Sequence, residues 1–386
     1  MKKESKNRYL KIYYKIMCLL FILILVTFTG LNMIKKDKDF SDTENRMLAQ
    51  KPKFTLEKFM EGRFTKKFEK YKVDQFINRD MWIKIKSSVD KLLGKNESSG
   101  VYLGKDGYLI ENFEKPNNEV LSKNIDAINK FSDKYKNINQ YIQIVPNAVD
   151  ILNEKLSKYA PVISQKKYID GFESNLNKNI KIIDAYSALK SHKDEYIYYK
   201  TDHHWTTLGA YYAFLETAKT MKLDSSKNEY EKLRVSNDFY GTLYSKSGYE
   251  VKSPDNIDIY IPKNKEDECV INYIDEQKKT ASFYDSSKLN TKDKYAVFLG
   301  GNHPIVDIKT TSQSNKKILI FKDSYANSFV EFLTPYFSEI VMVDPRYYYD
   351  DIDKLISDKN ITDMLFLYNA NTFFSDTSLE LVLNNL

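Results

Sequence analysis

Cysteine is nearly missing from this chain of 386 residues, which has only Cys18 and Cys269. Cys18 lies inside an apolar run, apart from the polar stretch that carries Cys269. No disulfide framework and no cysteine-based metal site can be assembled from such an inventory. Histidine is almost as scarce, with four copies, and glycine (12) and proline (9) are few. With aromatic residues at 14%, that palette belongs to an ordered globular protein rather than a disordered one. A basic face is lacking as well. The formal charge is +6, but residues 1–15 carry +5 of it and the remainder about +1. Nucleic-acid binding is therefore not expected. No internal repeat and no long low-complexity tract occurs.

One long charge-free run is present. Residues 16–34 (IMCLLFILILVTFTGLNMI) contain no charged side chain. As a helix they would rise about 28 Å, close to the hydrocarbon thickness of a bilayer. The basic flank before them predicts a cytoplasmic tail over 1–15 and an extracytoplasmic remainder, so a single-pass protein of the cell membrane. A cleaved signal peptide is the rival reading. The run exceeds a usual signal core and no small-x-small site follows it, which favours an uncleaved signal anchor. A buried core helix would need a polar face, and none is marked.

Residues 35–95 read as a polar helical stalk, with Phe54, Phe59, Phe64, Phe68, Tyr71, Phe76 and Trp82 at roughly helical spacing. Residues 101–110 carry a hairpin signal centred on Asp106-Gly107. Beyond residue 96 the pattern becomes that of one α/β domain. Helices are expected at 118–136, 167–176, 207–221 and 325–333. Strands are expected at 141–145, 180–183, 317–321, 340–343 and 364–368, with 196–199 leading into Asp202. Such alternation predicts a parallel sheet covered on both faces. Residues 225–315 interrupt it with short β-prone runs at 257–261, 269–273 and 295–299. That stretch is read as a β-rich insertion between two halves of one sheet.

Two stretches carry chemistry, Thr201-Asp202-His203-His204-Trp205-Thr206 and Lys322-Asp323-Ser324-Tyr325. A serine becomes a good nucleophile when a base takes its proton, and the base works best when a carboxylate fixes its tautomer. Ser324 sits where a strand ends and a helix begins, a turn that exposes its hydroxyl. Taken singly, Ser324 reads as a helix cap and Asp202 as a turn residue; taken together the two patterns point to a catalytic pair. Asp202 and His204, two apart in an extended chain, can project to one side, and His203 should then point away. The same alternation argues against Asp202, His203 and His204 as metal ligands, and no metal or cofactor is expected. His303 reads as a loop residue and His192 as a surface one.

TDHHWT, KDSYANSF, VDPRYYYD and LFLYNANTF, with SDTENRML and SGVYLGKDGYLIE upstream, together resemble the DHHW family of bacterial membrane-anchored proteins. That family is similar to the SGNH-hydrolase-like alginate O-acetylation proteins. The resemblance implies an SGNH-like, flavodoxin-like α/β domain, circularly permuted so that the Asp-x-His block precedes the serine block. It implies Ser324 as nucleophile, His204 as base and Asp202 as the orienting acid. Asn369 or its rival Asn371 would supply an oxyanion donor. Arg346, Tyr325 and Trp205 would serve the oxyanion or the substrate. Two departures stand out: Lys322 where SGNH enzymes usually have glycine, and Asp-x-His in place of Asp-x-x-His. The implied activity is O-acyl transfer, acetyl foremost, to hydroxyls of an envelope or secreted polysaccharide through an acyl-serine. A polytopic membrane-bound O-acyltransferase is the implied partner. An esterase of the same acyl groups and a non-catalytic polysaccharide-binding protein are the alternatives. An acyltransferase should have an extended groove lined with aromatic residues, of which the run 346–349 is suggestive.

Overall fold

The computed structural model describes residues 2–41, 46–226, 228–263 and 268–385, the side chains of residues 2–8 and of Arg46 excepted. Residues 42–45 of the upstream SDTENRML motif, and the basic side chains of Lys2, Lys3, Lys6 and Arg8, thus lie outside the described residues. The chain divides into two compact units, residues 1–89 and 90–386.

The first unit begins with a helix, Lys2–Ile34. Its part Tyr9–Ile34 has a mean hydropathy of 2.4 over its most apolar window and none of that window is buried, as for a membrane anchor or a signal sequence. Three further helices follow, Leu56–Met60, Arg63–Asp74 and Arg79–Leu92, the last crossing into the second unit. The expected aromatic stripe packs ring on ring: Phe64 on Phe54 and Phe68, and Phe68 on Tyr71.

The second unit is built on an eight-stranded sheet. Its spatial order is Lys278–Thr280, Cys269–Tyr273, Ile305–Thr310, Glu339–Val343, Lys317–Lys322, Asp363–Asn369, Asn139–Val145 and Ile180–Ile182. The five strands from Glu339–Val343 onward are mutually parallel. The first three are antiparallel to their neighbours. Strands buried on both faces need near-continuous apolar runs, and 318–321 and 364–368 are such runs. Phe131 of the helix Asn118–Lys134 meets Phe321 edge-on, while Gln143 donates to the Ala213 carbonyl of the helix Thr207–Met221. That second helix starts on Thr206, whose hydroxyl accepts from the Gly209 N–H.

The stretch 225–315 does more than interrupt the sheet: three of its strands extend the sheet's edge, and Tyr230–Phe239 pairs with Asp255–Pro262 in a separate ribbon. Two expected elements differ. Residues 295–299, read as a strand, form a tight 3₁₀ turn over Lys294–Val297. Residues 325–333, read as an α-helix, are two 3₁₀ turns, Ser324–Ser328 and Val330–Leu333. The apolar spacing Ala326, Phe329, Phe332 suits a three-residue repeat as well as a helical one, and the Phe329 and Phe332 N–H groups donate three residues back.

Candidate active site

The carboxyl ends of the parallel strands converge on one place. The strand Lys317–Lys322 lies between Glu339–Val343, which follows it in the chain, and Asp363–Asn369. The order in which successive strands are added to the sheet reverses there, which opens a crevice beyond the strand ends. Ser324 stands in that crevice, half-buried. Asp323 holds the turn: one carboxylate oxygen accepts from the Tyr325 N–H, the other from the backbone and side chain of Asn369. Burial pushes the Asp323 pKa up to about 6, against the pull of the Arg346 charge.

His204 arrives on a different device. The Thr206 N–H donates to Ile197 O and the Tyr199 N–H to His204 O, closing a narrow hairpin whose tip is residues 200–203. Within that tip Asp202 Oδ1 accepts from the His204 backbone N–H at 3.0 Å and faces His204 Nδ1 at 2.5 Å. Its Oδ2 accepts from the N–H and hydroxyl of Thr242. Burial opposes ionisation of Asp202, but the two histidines and these donors outweigh it and hold the carboxyl well below the usual range. The ring's other nitrogen, Nε2, lies 2.7 Å from Ser324 Oγ. With Nδ1–H committed to an ionised carboxylate, Nε2 carries the lone pair and is placed to accept a hydrogen bond from the serine hydroxyl. Burial and the neighbouring His203 push the His204 pKa down to about 4, so the ring is neutral at pH 7.

Two further groups fix this geometry, and sequence reasoning missed both. Tyr295 stacks on the His204 ring at 3.7 Å between centroids and 11° between planes, and its hydroxyl donates to Ser324 O. Gly241 lies against Asp202, where an added Cβ would sit 2.3 Å from the Asp202 Cβ. Neither residue lies in a recognisable pattern; each reaches the site through the insertion.

Several expectations need correction. His203 does not point away: the tip is a turn rather than extended chain, and the His203 ring lies 3.9 Å from that of His204, with Nδ1 on the Thr242 hydroxyl. Asp202, His203 and His204 therefore converge, with one ligand atom from each within 4.8 Å of the others. The His204 nitrogens and the Asp202 oxygens all have hydrogen-bond partners, which a metal would have to displace. Trp205 and Tyr325 are wholly buried and offer a substrate no surface. The Trp205 indole donates to Tyr325 O and Ser328 Oγ, clamping the histidine hairpin to the serine turn, while the Tyr325 hydroxyl donates to His203 O. Asn369 spends its amide on Asp323 and Thr372, and Asn371 spends its own on Glu111 and the Asn112 carbonyl. Neither amide points a spare hydrogen at Ser324. Arg346 forks onto buried Asp344, and its charge is felt at both Asp323 and His204. His192 and His303 lie elsewhere, paired with Glu195 and Glu276.

A cleft of about 710 Å³ is lined by Glu111, Asn112, Lys246 and Asn371 among others. Glu111 pairs with Lys246 at 2.8 Å. Burial would raise the Glu111 pKa, but His203 and Lys246 outweigh it and hold the carboxyl below its ordinary value.

The profile of the DHHW protein family matches residues 93–343, well over half of the chain. The chain belongs to the DHHW family. A DHHW family protein from Eubacterium siraeum is 27% identical, with a TM-score of 0.64 over 75% of this chain and 97% of that one. Bacillus cereus PatB1, solved with a sulfonyl adduct, is 21% identical, with a TM-score of 0.61 over 72% and 97% of the two chains. The O-acetyltransferase domain of Pseudomonas putida AlgJ is 15% identical, with a TM-score of 0.47 over 74% and 99%. No curated protein matches the chain.

Proposed function

We propose that this DHHW protein is an extracytoplasmic O-acyltransferase, acting through an acyl-Ser324 intermediate on hydroxyls of an envelope or secreted polysaccharide. The observation that carries the reading is the hydrogen-bonded line Ser324–His204–Asp202, which has the parts a nucleophile, its base and an orienting acid require. Ser324 Oγ attacks the acyl carbonyl of a donor ester while its proton passes to His204 Nε2. The bond to the donor's leaving oxygen breaks, and His204 returns the proton to that oxygen. A sugar hydroxyl then repeats the sequence in reverse: its proton goes to His204, its oxygen takes the acyl carbon, and Ser324 recovers the proton. The Ser324 backbone N–H and Arg346 are the groups assigned to the developing oxyanion, in place of Asn369 and Asn371, whose amides are committed.

The strand order supports a circular permutation of the flavodoxin-like SGNH arrangement. Counted from Lys317–Lys322 through the C-terminus and on from Asn139–Val145, the five parallel strands lie in the order 2-1-3-4-5. The apolar N-terminal helix supports a single-pass anchor, N-terminus inside, with a polytopic O-acyltransferase as the acyl source. The cleft lined by Glu111 and Lys246, whose Glu111 carboxyl feels the His203 charge, supports a glycan acceptor there.

The test is labelling of Ser324 by a fluorophosphonate or sulfonyl fluoride probe. Ser324→Ala and His204→Ala should abolish it, and a folded Ser324→Ala protein that labels equally sinks the reading. With an activated acyl ester and a panel of polysaccharides, transfer should exceed hydrolysis, because a bound hydroxyl gains proximity that bulk water lacks, worth up to about 7–11 kcal/mol. A partition near zero on every glycan would favour the esterase. No acyl-enzyme from a folded protein would favour a binding protein.

A further inference from the structure

The helix Arg79–Leu92 is inside out. A surface helix ordinarily buries its apolar stripe and exposes its polar face. Here Met81 (46%), Trp82 (39%), Ile85 (44%) and Val89 (48%) are exposed, whereas Ser87 is 1% exposed. Positions 81, 82, 85 and 89 fall within one arc of about 100° on the helix, with lysines at 84, 86 and 91 on its two sides. An apolar arc of this width flanked by lysines is the design of a helix lying in a membrane interface, where aliphatic stems cover lipid and ammonium groups reach headgroups.

Two independent observations name what covers the arc. One is continuity. Trp82 packs edge-on against Phe28 at 5.8 Å, and Phe76 stacks on Phe28 at 6.0 Å. The Ile77 N–H donates to Asn32 Oδ1, and Lys35 Nζ donates to Gln75 O. Phe28 and Asn32 belong to the last turns of the apolar span Tyr9–Ile34. The helix therefore starts at the level where that span leaves the hydrocarbon. The other is charge. Residues 35–95 hold seventeen Lys and Arg against ten Asp and Glu, while residues 96–386 hold 36 against 42. The excess of positive charge is confined to the segment next to the span, where an anionic lipid surface attracts it.

We propose that the segment 46–95 lies on the surface of an anionic bilayer, with Met81, Trp82, Ile85 and Val89 in its interface. The segment is then a second membrane attachment that limits how far the catalytic unit can swing away from the lipid. The proposal rests on the apolar helix being a retained membrane anchor.

The full chain, with Cys18→Ser and Cys269→Ser, takes an environment-sensitive label at Val89→Cys, at Lys84→Cys or at Leu23→Cys. It is reconstituted in phosphatidylcholine vesicles with and without phosphatidylglycerol, some lipids carrying a shallow nitroxide. The label at 89 should be quenched by the nitroxide lipid several-fold more with phosphatidylglycerol present, and high salt should reverse the gain. The label at 84 should stay open to aqueous quencher, and that at 23 should be protected throughout. A label at 89 as water-accessible as that at 84, with 23 protected, overturns the proposal and leaves the anchor standing. Loss of protection at 23 overturns both. Protection at 89 that persists in detergent without lipid means that protein covers the arc, and also overturns it.

Discussion

At the scale of the residue, the site depends on groups whose neighbours allow no freedom. Gly241 is the sharpest case, because a methyl there would overlap Asp202 at its Cβ, Cγ and Oδ2. Gly241→Ala should displace the carboxylate from His204 and cut the rate of Ser324 labelling by about a hundredfold or more, with circular dichroism unchanged. An unaltered rate would show that the Asp202–His204 contact is dispensable. The protonation of His204 gives a second expectation. Its pKa is depressed to about 4 by burial and by His203, so labelling should be level through neutral pH and fall only as one proton binds near pH 4. His203→Gln removes the neighbouring charge, so the acid limb should move to higher pH; a limb that stays put would separate the two rings electrostatically. Ser324, His204 and Asp202 could be picked out of the sequence because strand-end and Asp-x-His patterns are local. Tyr295, Gly241 and Thr242 could not, since their role exists only after the insertion folds onto the hairpin tip.

At the scale of the element, the serine turn shows what replaces the usual glycine. Lys322 is the last residue of its strand, is wholly buried, and donates to Asn327 Oδ1 at 2.9 Å while facing Asp344 at 3.7 Å. Asp344 is also forked by Arg346. The lysine thus ties the serine strand to the next strand's carboxyl end, where Arg346 sits. Removing one member of a buried charge group leaves the others unbalanced and typically costs about 3–5 kcal/mol. Lys322→Met should therefore lower the unfolding free energy obtained from urea titration by an amount in that range, and Lys322→Gly should do the same although it restores the commoner residue. Full stability in the glycine variant would mean that the backbone, not the charge, explains the lysine. Boundaries of elements were legible where capping and period agreed, as at Thr207–Met221. They were not legible at Lys294–Val297, where β-prone residues are bent into a turn by burial of Tyr295 and Val297.

At the scale of the whole molecule, the alternation of helices and apolar runs was enough to read a parallel sheet, because strands buried on both faces must be apolar throughout. The antiparallel edge was readable only in part: 269–273 stands out as a β-prone run, whereas strands as short as Lys278–Thr280 look like loops. Nor does flanking charge orient the span by itself, because lysines and arginines crowd both of its ends; a large domain can cross a membrane largely regardless of its charge. Global stability should report on one buried acid that the chemistry does not use. Glu331 lies under the sheet's edge with one carboxyl oxygen taken by the Tyr284 hydroxyl and the other without a hydrogen-bond partner among the described residues. Burial pushes its pKa up to about 8, from an ordinary value of 4.5. A group whose folded pKa is raised holds its proton more tightly when folded, so its contribution is fully present below about pH 4.5 and is lost as pH rises through 8. His204 and Asp323 act in opposite directions between about pH 4 and 6.5 and largely offset each other there. The alkaline side is therefore left to Glu331. The unfolding midpoint of the second unit should fall steadily from about pH 6.5 to about pH 8 and level off above that, and Glu331→Gln, which keeps the shape without the charge, should flatten that fall. An equally steep fall in the variant would place the alkaline sensitivity elsewhere and leave Glu331 ionised in the folded protein.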